Sequence, residues 1–285
     1  MKPSWLKIKV PLGTNYLKVS GLIKGNNLHT ICESGRCPNL SECWQAGTAT
    51  FMILGDVCTR TCKFCNVKSG KPLPVDPTEP ENIAAVVKSM NLKHCVITSV
   101  DRDDLPDGGA NHWVDTISAI KNQNPETSIE ALIPDFKGNT DHIALLAHSM
   151  AEVISHNLET VERLSPEIRS KAKYHQSLNL IKQIREAGKV SKSGIMLGLG
   201  EKHEEILQTM EDLIAVGCQV FTIGQYLQPS KEHHPVLEYF HPDYFAELKE
   251  IALGKGFLAV ESSPFVRSSY HAEKHTPDML LKKRT

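Results

Sequence analysis

The chain has 285 residues, of which 40% are hydrophobic and 23% are charged, a composition typical of a folded globular protein. Its 32 basic and 33 acidic residues give a formal net charge of −1, which argues against a nucleic-acid-binding protein because such proteins usually carry a marked basic excess. No stretch approaches the ~20 apolar residues that span a bilayer, so we expect no membrane association.

From residue 48 onward, short runs of β-branched residues alternate with stretches of helical periodicity. Apolar side chains at positions 83, 86, 87 and 90, for example, recur at the spacing of one helix face. In chain order the pattern predicts a strand at 48–57, a helix at 77–91, a strand at 94–100, a helix at 111–122, a strand at 127–133, a helix at 139–149, a strand at 152–155, a helix at 174–187, a strand at 193–199, a helix at 201–216, a strand at 219–224 and a helix at 242–253.

Strands that alternate with helices of this length predict parallel βαβ units. Six units fit an α/β fold with a partial (βα)6, TIM-like barrel better than a closed barrel of eight units. We therefore predict three segments: an N-terminal extension at 1–47, the barrel at 48–255 and a C-terminal segment at 256–285. Neither end follows the strand–helix alternation, so both extensions are expected to close over the barrel mouth.

Six of the eight cysteines lie in two triplets, and the second triplet has the spacing C-x3-C-x2-C at Cys58, Cys62 and Cys65. It follows directly on the first predicted strand, whose carboxyl end belongs to the expected active-site face. Three thiolates are one short of the four that close a zinc site or complete a 4Fe-4S cluster. The spacing therefore indicates a cluster with one open iron, and it resembles the signature of radical S-adenosylmethionine (SAM) proteins, in which SAM binds that iron. A zinc knuckle is the alternative.

The N-terminal residues interleave lysines with apolar side chains and do not form the apolar core of a signal peptide. We therefore expect a cytoplasmic protein in a reducing compartment, where cysteines serve metals or catalysis instead of disulfides. Cys95 and Cys218 lie in or beside apolar strands, and we interpret them as buried, inert thiols.

Five segments, in this order, resemble the lipoyl synthase family: K-P-S-W-L-K, L-H-T-I-C-E-S-G-R-C-P-N-L-S-E-C-W, F-M-I-L-G-D-V-C-T-R-T-C-K-F-C-N-V, V-I-T-S-V-D-R-D-D-L-P-D-G-G-A and V-R-S-S-Y-H-A. The resemblance implies a radical SAM sulfurtransferase with SAM as cosubstrate and two 4Fe-4S clusters. Such an enzyme inserts two sulfur atoms at C6 and C8 of a protein-bound octanoyl chain and so makes the lipoyl cofactor.

The resemblance also implies the ligands of both clusters. Cys58, Cys62 and Cys65 match the cluster that binds SAM. Cys32, Cys37 and Cys43 match three ligands of an auxiliary cluster that donates sulfur, and Ser269 of R-S-S-Y matches its fourth ligand. A serine oxygen is a harder, weaker partner for iron than a thiolate, which suits a cluster that must be taken apart. Ser268 is the alternative ligand.

Further candidates for SAM contacts lie at predicted strand ends: Thr98, Ser99, Asp101, Glu130, Asn157, Arg169, Gly194 and Gly198. The first three belong to the loop expected near the SAM amino group, although an acidic loop before a helix also serves as ordinary capping. Glu130 and Asn157 are candidates for the ribose hydroxyls. Arg169 is either a partner of the SAM carboxylate or a surface helical arginine. The glycines would permit close approach of adenine.

The partners follow from the same resemblance. The expected substrate is an octanoylated lipoyl domain or the glycine-cleavage H protein, and the expected electron donor is ferredoxin or flavodoxin. The nearest alternative is another sulfur-inserting radical SAM enzyme, such as a biotin synthase or a methylthiotransferase. A zinc-stapled binding module is the alternative from a different class.

Overall fold

The structure is a computed structural model that describes residues 3–7 and 13–282. Lys2, the first residue of the K-P-S-W-L-K segment, lies outside the described residues. In the described ranges, every helix is too short or too polar to cross a bilayer.

The chain forms two compact units. We call Ile8–Arg60 together with Asn66–Glu152 the N-terminal unit. We call Met1–Lys7, Thr61–Cys65 and Val153–Thr285 together the C-terminal unit. The division into functional segments at 1–47, 48–255 and 256–285 stays a prediction.

The N-terminal unit contains three parallel strands alternating with helices. Its elements are α1 (Thr14–Gly25), β1 (His29–Thr30), α2 (Ile31–Ser34), α3 (Leu40–Gln45), β2 (Thr50–Ile53), β3 (Val57–Cys58), β4 (Lys68–Ser69), α4 (Glu79–Met90), β5 (His94–Ser99), α5 (Ala110–Gln123), β6 (Ser128–Leu132) and α6 (Thr140–Ala147). Strands β2, β5 and β6 pair in parallel, in that order. β1 adds an antiparallel edge to β2, which the sequence pattern did not predict.

The first predicted strand is shorter than expected, because the backbone turns sharply inside it. β2 ends at Ile53, and the next two residues have left-handed φ values, 67° at Leu54 and 91° at Gly55. Glycine adopts this conformation freely, whereas leucine does so at a cost of order 1 kcal/mol. The turn separates β2 from the short strand β3, which pairs with β4.

All strands of the C-terminal unit's main sheet are parallel. The elements of this unit from residue 153 onward are β7 (Val153–Ser155), α7 (Ser165–Ile168), α8 (Tyr174–Glu186), β8 (Val190–Leu197), α9 (His203–Ala215), β9 (Val220–Gln225), α10 (Pro242–Lys255), β10 (Ala259–Ser262) and α11 (Pro277–Lys282). Strands β7, β8, β9 and β10 pair in that order. The predicted parallel α/β class is thereby confirmed.

β10 continues the strand–helix alternation into the segment predicted to lie outside it. Ala259 pairs with Val220 and Ser262 with Ile223. The sequence signal is weak because only Ala259 and Val260 are apolar in this strand, and Glu261 and Ser262 interrupt the run. The pairing partner, which lies almost forty residues earlier in the sequence, makes this segment a strand.

The predicted helices are present, and their ends follow from local capping. α10 begins with Pro242 in its first turn and ends at Gly256, whose φ of 111° stops the helix. α8 buries Leu178, Ile181 and Ile184 on one face. Burying each such side chain contributes roughly 1.5–3 kcal/mol to folding, and this packing fixes the strand ends that carry the site residues.

Candidate functional site

Cys58 ends the short strand β3, after the turn that follows β2, so the second triplet comes after the first parallel strand, as the sequence predicts. In the N-terminal unit, the Arg60 amide donates a hydrogen bond to Cys58 Sγ at 3.4 Å. Cys58 is partly exposed and forms no disulfide. The backbone of its own loop therefore fixes the Cys58 side chain.

Cys62 and Cys65 belong to the C-terminal unit and sit in one tight turn. The Cys65 amide donates to the Cys62 carbonyl at 3.1 Å. Ser170 Oγ accepts from the Thr61 amide at 3.2 Å and lies 3.6 Å from Cys62 Sγ. His233 Nε2 lies 3.0 Å from the Cys65 carbonyl oxygen and donates to it. Both cysteines are partly exposed and form no disulfide, so the turn presents them without burying them.

A loop after β5 is joined to the start of the cysteine loop. The Thr59 amide and hydroxyl both donate to the Asp101 carbonyl, at 3.0 and 2.9 Å. The Asp103 amide in turn donates to Thr59 Oγ1 at 3.0 Å. Asp101 Oδ2 lies 3.8 Å from Cys58 Sγ. The predicted SAM-contact loop and the first cysteine are therefore fixed against each other inside one unit.

The first cysteine triplet lies on two short helices of the N-terminal unit. Cys32 is in α2, which is capped by Thr30 Oγ1 accepting from the Glu33 amide at 3.3 Å. The Cys37 amide donates to the Cys32 carbonyl at 3.0 Å. Cys43 is in α3. The three cysteines form no disulfide; Cys32 is buried and the other two are partly exposed.

Burial and the neighbouring thiols raise the pKa values of two cysteines of this triplet. Burial, reinforced by Cys37, raises the pKa of Cys32 to about 11. Burial, reinforced by Cys32 and Cys37, raises the pKa of Cys43 to about 12. A thiol must lose its proton to bind a metal, and a metal cation beside these groups would favour the thiolate form.

Across residues 3–7 and 13–282, no three His, Cys, Asp or Glu side chains converge on the position of one metal ion. Each triplet supplies three thiols, and in a 4Fe-4S cluster each cysteine binds a different iron. The donor type of both triplets is therefore the one that such clusters use.

The candidate SAM-contact residues of the N-terminal unit differ in their burial and in their hydrogen bonds. Thr98 is buried and donates to the Leu132 carbonyl at 3.1 Å. Ser99 ends β5, and its buried Oγ has no hydrogen-bond partner. Glu130 lies in the middle of β6 rather than at its end, and it is fully buried. Among Thr98, Ser99 and Glu130, Ser99 is therefore the residue whose side-chain oxygen could accept or donate a hydrogen bond to a ligand without losing one within the protein.

Asn157 and Arg169 form part of a buried polar group in the C-terminal unit. Asn157 Nδ2 donates to Glu159 Oε1 at 3.1 Å, whereas Asn157 Oδ1 is buried without a partner. Arg169 donates to Ser177 Oγ at 2.9 Å and contacts His156 Nε2 at 3.3 Å. Only 6% of Arg169 is exposed, so the surface-arginine interpretation is wrong: the end of α7 turns the side chain inward.

Gly194 and Gly198 are required by the packing of the protein itself. A Cβ at Gly194 would lie 2.2 Å from Thr222 Oγ1 on the neighbouring strand. Gly198 has a φ of 102°, and a Cβ there would lie 2.3 Å from Gln225 Nε2. One carboxylate oxygen of Glu201 accepts a hydrogen bond from the Gly198 amide at 2.5 Å, and the other accepts a hydrogen bond from the Leu199 amide at 3.0 Å. Contact of these glycines with adenine stays a prediction.

Ser268 and Ser269 lie in a turn that packs against β9. The Ala272 amide donates to the Ser269 carbonyl at 3.4 Å. Upstream, the Val266 carbonyl oxygen comes within 2.1 Å of where a Cβ of Gly224 would stand. Both serines are partly exposed, so either hydroxyl has room to meet a ligand.

Two further residues shape the site and are absent from the residues predicted to form it. Glu201 holds the turn after β8, and its signal in the sequence is the run G-I-M-L-G-L-G-E at 194–201. Arg60 is buried and lies between Cys58 and Cys62 in the sequence. Its signal is a cation in the cysteine loop together with the D-R-D-D run that follows β5.

Comparison with known families extends these observations. The Radical SAM superfamily matches residues 52–213, which is more than half of the chain. The N-terminal domain of lipoyl synthase of the Radical SAM family matches residues 1–37. The two matches cover the segments that carry the two cysteine triplets, apart from Cys43.

Curated relatives match along nearly the whole chain. The lipoyl synthase of Bacteroides fragilis is 57% identical over 274 residues, covering 96% of this chain and 95% of the relative. The lipoyl synthase of Treponema denticola is 58% identical over 274 residues, covering 96% and 94%. These matches do not favour a biotin synthase or a zinc-stapled module.

Among solved structures, the crystal structure of methylornithine synthase (PylB) matches with a TM-score of 0.58 at 12% identity. The match covers 88% of this chain and 72% of that chain, and at this identity it supports the fold alone. The fold is therefore the α/β type with a mostly parallel sheet that radical SAM proteins use. The two lipoyl synthases that are 57% and 58% identical over 96% of this chain show that the chain belongs to the lipoyl synthase family of radical SAM enzymes.

Proposed function

We propose that this enzyme inserts two sulfur atoms into an octanoyl chain carried on a protein, at C6 first and then at C8. The observation that carries the proposal is the presence of two separate cysteine triplets, each free of disulfides, in a chain 57% identical to a lipoyl synthase over almost its full length. One triplet would serve radical generation and the other would serve as the sulfur source.

Each triplet supplies three thiolates, so each cluster keeps one iron for another ligand. Cys58, Cys62 and Cys65 would hold the cluster that binds SAM, and Cys32, Cys37 and Cys43 would hold the auxiliary cluster. When bound, these groups supply a radical able to remove hydrogen from an unactivated carbon, and sulfide for the new bonds, chemistry that no side-chain acid or base performs. The chain's own task is to hold, orient and shield them.

Two buried, unpartnered oxygens support a polar ligand at the strand ends. Ser99 Oγ lies at the end of β5 and Asn157 Oδ1 lies just after β7. A buried polar atom left without a partner costs roughly 1–3 kcal/mol, and a bound ligand would remove that cost. We assign SAM binding to these two residues with Thr98, Asp101, Glu130, Arg169, Gly194 and Gly198, of which Arg169 supplies a fixed buried cation for a carboxylate.

For the fourth ligand of the auxiliary cluster we propose Ser269, with Ser268 as the alternative. Both serines are partly exposed in a turn that β9 supports. Because a serine oxygen binds iron more weakly than a thiolate, it would release the iron when sulfur is surrendered.

The substrate class is an octanoylated protein, and we propose a lipoyl domain or the glycine-cleavage H protein as its carrier. A ferredoxin or a flavodoxin would deliver the electrons. Eight free cysteines suit a reducing environment, which supports a cytoplasmic location.

The direct test is anaerobic incubation with SAM, a reductant and an octanoylated lipoyl-domain peptide, read by mass spectrometry. We expect two mass increments of sulfur on the peptide and 5′-deoxyadenosine in the small-molecule fraction. A variant with alanine at Cys32, Cys37 and Cys43 should still cleave SAM but add no sulfur. Sulfur insertion by that variant at the wild-type rate would overturn the assignment of the donor.

A further inference from the structure

Arg60 is a buried cation inside the cysteine loop, and it contacts three carboxylates at once. Its Nη1 lies 3.2 Å from Asp101 Oδ1. Its Nε and Nη2 bind both oxygens of Asp103, at 3.0 and 2.9 Å. Nη2 also binds Asp135 Oδ1 at 2.7 Å. Only 4% of the Arg60 side chain is exposed, so solvent screens these ion pairs weakly.

The geometry of this group is specific to a guanidinium. Five donors in one plane can span three carboxylates, whereas a lysine offers a single point charge. The side chains of Asp103 and Asp135 are 11% and 1% exposed. Removing Arg60 would take away a cation that lies within 3.0 Å of both carboxylates, whereas Lys137 Nζ lies 4.0 Å from Asp103 Oδ1. The loop that carries Asp101 and Asp103 would then tend to move toward water.

The consequence of the contacts is a fixed direction for Asp101. Its Oδ1 is occupied by Arg60, while its Oδ2 lies 3.8 Å from Cys58 Sγ. Thr59 holds the Asp101 carbonyl through two hydrogen bonds. Both the main chain and the side chain of Asp101 are thus fixed beside the first cysteine of the triplet.

We propose that Arg60 is a positioning residue for SAM: it aims Asp101 at the ammonium group of the SAM methionyl moiety, while the three cysteines hold the iron without its help. The inference rests on the proposed function, which assigns the Cys58 triplet to the SAM-binding cluster. Asp101 Oδ2 lies 3.8 Å from the Cys58 thiol, which would bind an iron of that cluster, and a carboxylate oxygen at this position is suited to a charge-assisted hydrogen bond from an ammonium group.

The test separates iron binding from SAM binding in full-length protein reconstituted anaerobically. The variants are Arg60→Gln, Arg60→Lys, Asp101→Asn and the double variant of Arg60→Gln with Asp101→Asn. Lys255→Gln is the matched control, since it removes the cation of an ion pair with Glu211 at 2.6 Å on the surface. The measurements are iron content, the SAM dissociation constant by equilibrium dialysis, and the change that SAM makes in the electron paramagnetic resonance spectrum of the reduced cluster.

We expect Arg60→Gln to keep the wild-type iron content but to bind SAM about 10–100-fold more weakly, the usual effect of removing a group that orients a ligand-binding residue. Its spectrum should respond to SAM only at correspondingly higher SAM concentrations. Asp101→Asn should match it, the double variant should be no worse than either, and Arg60→Lys should recover part of the affinity. Lys255→Gln should bind SAM as the wild type does.

Unchanged SAM affinity in Arg60→Gln would overturn the inference, and so would loss of iron, because Arg60 would then hold the cluster loop and not the SAM contact. Additive losses in the double variant would also overturn it. If Arg60→Gln does not fold, the test uses Arg60→Lys, which keeps the positive charge. Wild-type affinity for SAM in Arg60→Lys would contradict the proposal that the planar guanidinium is needed. A wild-type protein that binds neither iron nor SAM would instead contradict the proposed function.

Discussion

At the scale of single residues, the atom that a side chain offers to iron decides how easily that iron leaves. A serine oxygen is a hard donor with low affinity for the soft sites that thiolates prefer. Ser269 lies in a turn whose hydroxyls are partly exposed, so changing the ligating atom should not disturb the fold.

Replacing Ser269 with cysteine should preserve the auxiliary cluster but slow sulfur insertion, because a thiolate binds iron more tightly. We expect SAM cleavage to fall much less than product formation. The measurement is the ratio of 5′-deoxyadenosine to thiolated peptide in a single-turnover reaction. Equal losses of both would contradict a ligand role for Ser269.

Replacing Ser269 with alanine should weaken the auxiliary cluster, whereas Ser268→Ala provides the matched control one residue away. We expect Ser269→Ala to lose iron faster than Ser268→Ala on incubation with a chelator, while the Cys58 cluster stays loaded in both. The reverse order would make Ser268 the ligand.

At the scale of elements, two contacts hold the segment from 264 to 275 against the sheet of the C-terminal unit. One is the close approach of the Val266 carbonyl to Gly224 in β9. The other joins Glu261 of β10 to the fully buried His275, with 3.8 Å between Oε1 and Nε2. The position of Ser268 and Ser269 depends on both contacts.

Gly224→Ala should displace this segment, because its Cβ would lie 2.1 Å from a backbone oxygen that cannot rotate away. We expect a destabilisation of about 1–3 kcal/mol, the usual cost of overpacking, and a larger fall in sulfur insertion than in SAM cleavage. Chemical denaturation and the two product assays check this.

Gly254→Ala is the control, since no atom lies within 4 Å of its added Cβ. It is in α10, where alanine favours helix by about 1 kcal/mol over glycine. Stability should therefore be unchanged or slightly higher, with wild-type activity. A similar loss in both variants would show that the effect of Gly224→Ala is not specific to the segment.

The Glu261–His275 contact should make stability depend on acidity. The nearby His275 imidazole, 3.8 Å away, lowers the pKa of Glu261 below its ordinary value of 4.5. A lowered pKa in the folded state stabilises the protein above the unfolded pKa, and that contribution disappears as the pH falls through the folded pKa. Glu261→Gln should therefore flatten the decline in unfolding free energy below about pH 4.5; an unchanged slope in urea titrations would contradict it.

At the scale of the whole molecule, the two triplets supply separate donor sets, so their iron should be independently removable. Reconstituted protein should hold about eight irons per chain if both clusters are of the four-iron type. Alanine at Cys58, Cys62 and Cys65 should leave about four irons and abolish SAM cleavage. Iron and acid-labile sulfide analysis checks both numbers, and stoichiometric zinc in place of iron would contradict the cluster assignment.

The sequence predicted the features that are local in the chain. The cysteine spacing, the strand–helix alternation and the placement of Cys58 after the first strand all depend on neighbours within a few residues. The burial of Arg169 and Arg60 was harder to predict, because it depends on hydrogen-bond partners in other elements. These partners are Ser177 for Arg169, and Asp103 and Asp135 for Arg60. β10 was missed for the same reason, since its partner in β9 supplies most of what makes it a strand.

The late position of β10 in the chain has a consequence for biosynthesis. All six residues of β9 are buried in the finished fold, and β10 covers one of its edges. During translation that edge stays unpaired from the time β9 leaves the ribosome until residues 259–262 have also left it, with α10 emerging in between. An apolar strand with a free edge pairs readily with other chains. Nascent chains of this enzyme should therefore aggregate most when translation is slowed after β9 has emerged and before β10 has emerged.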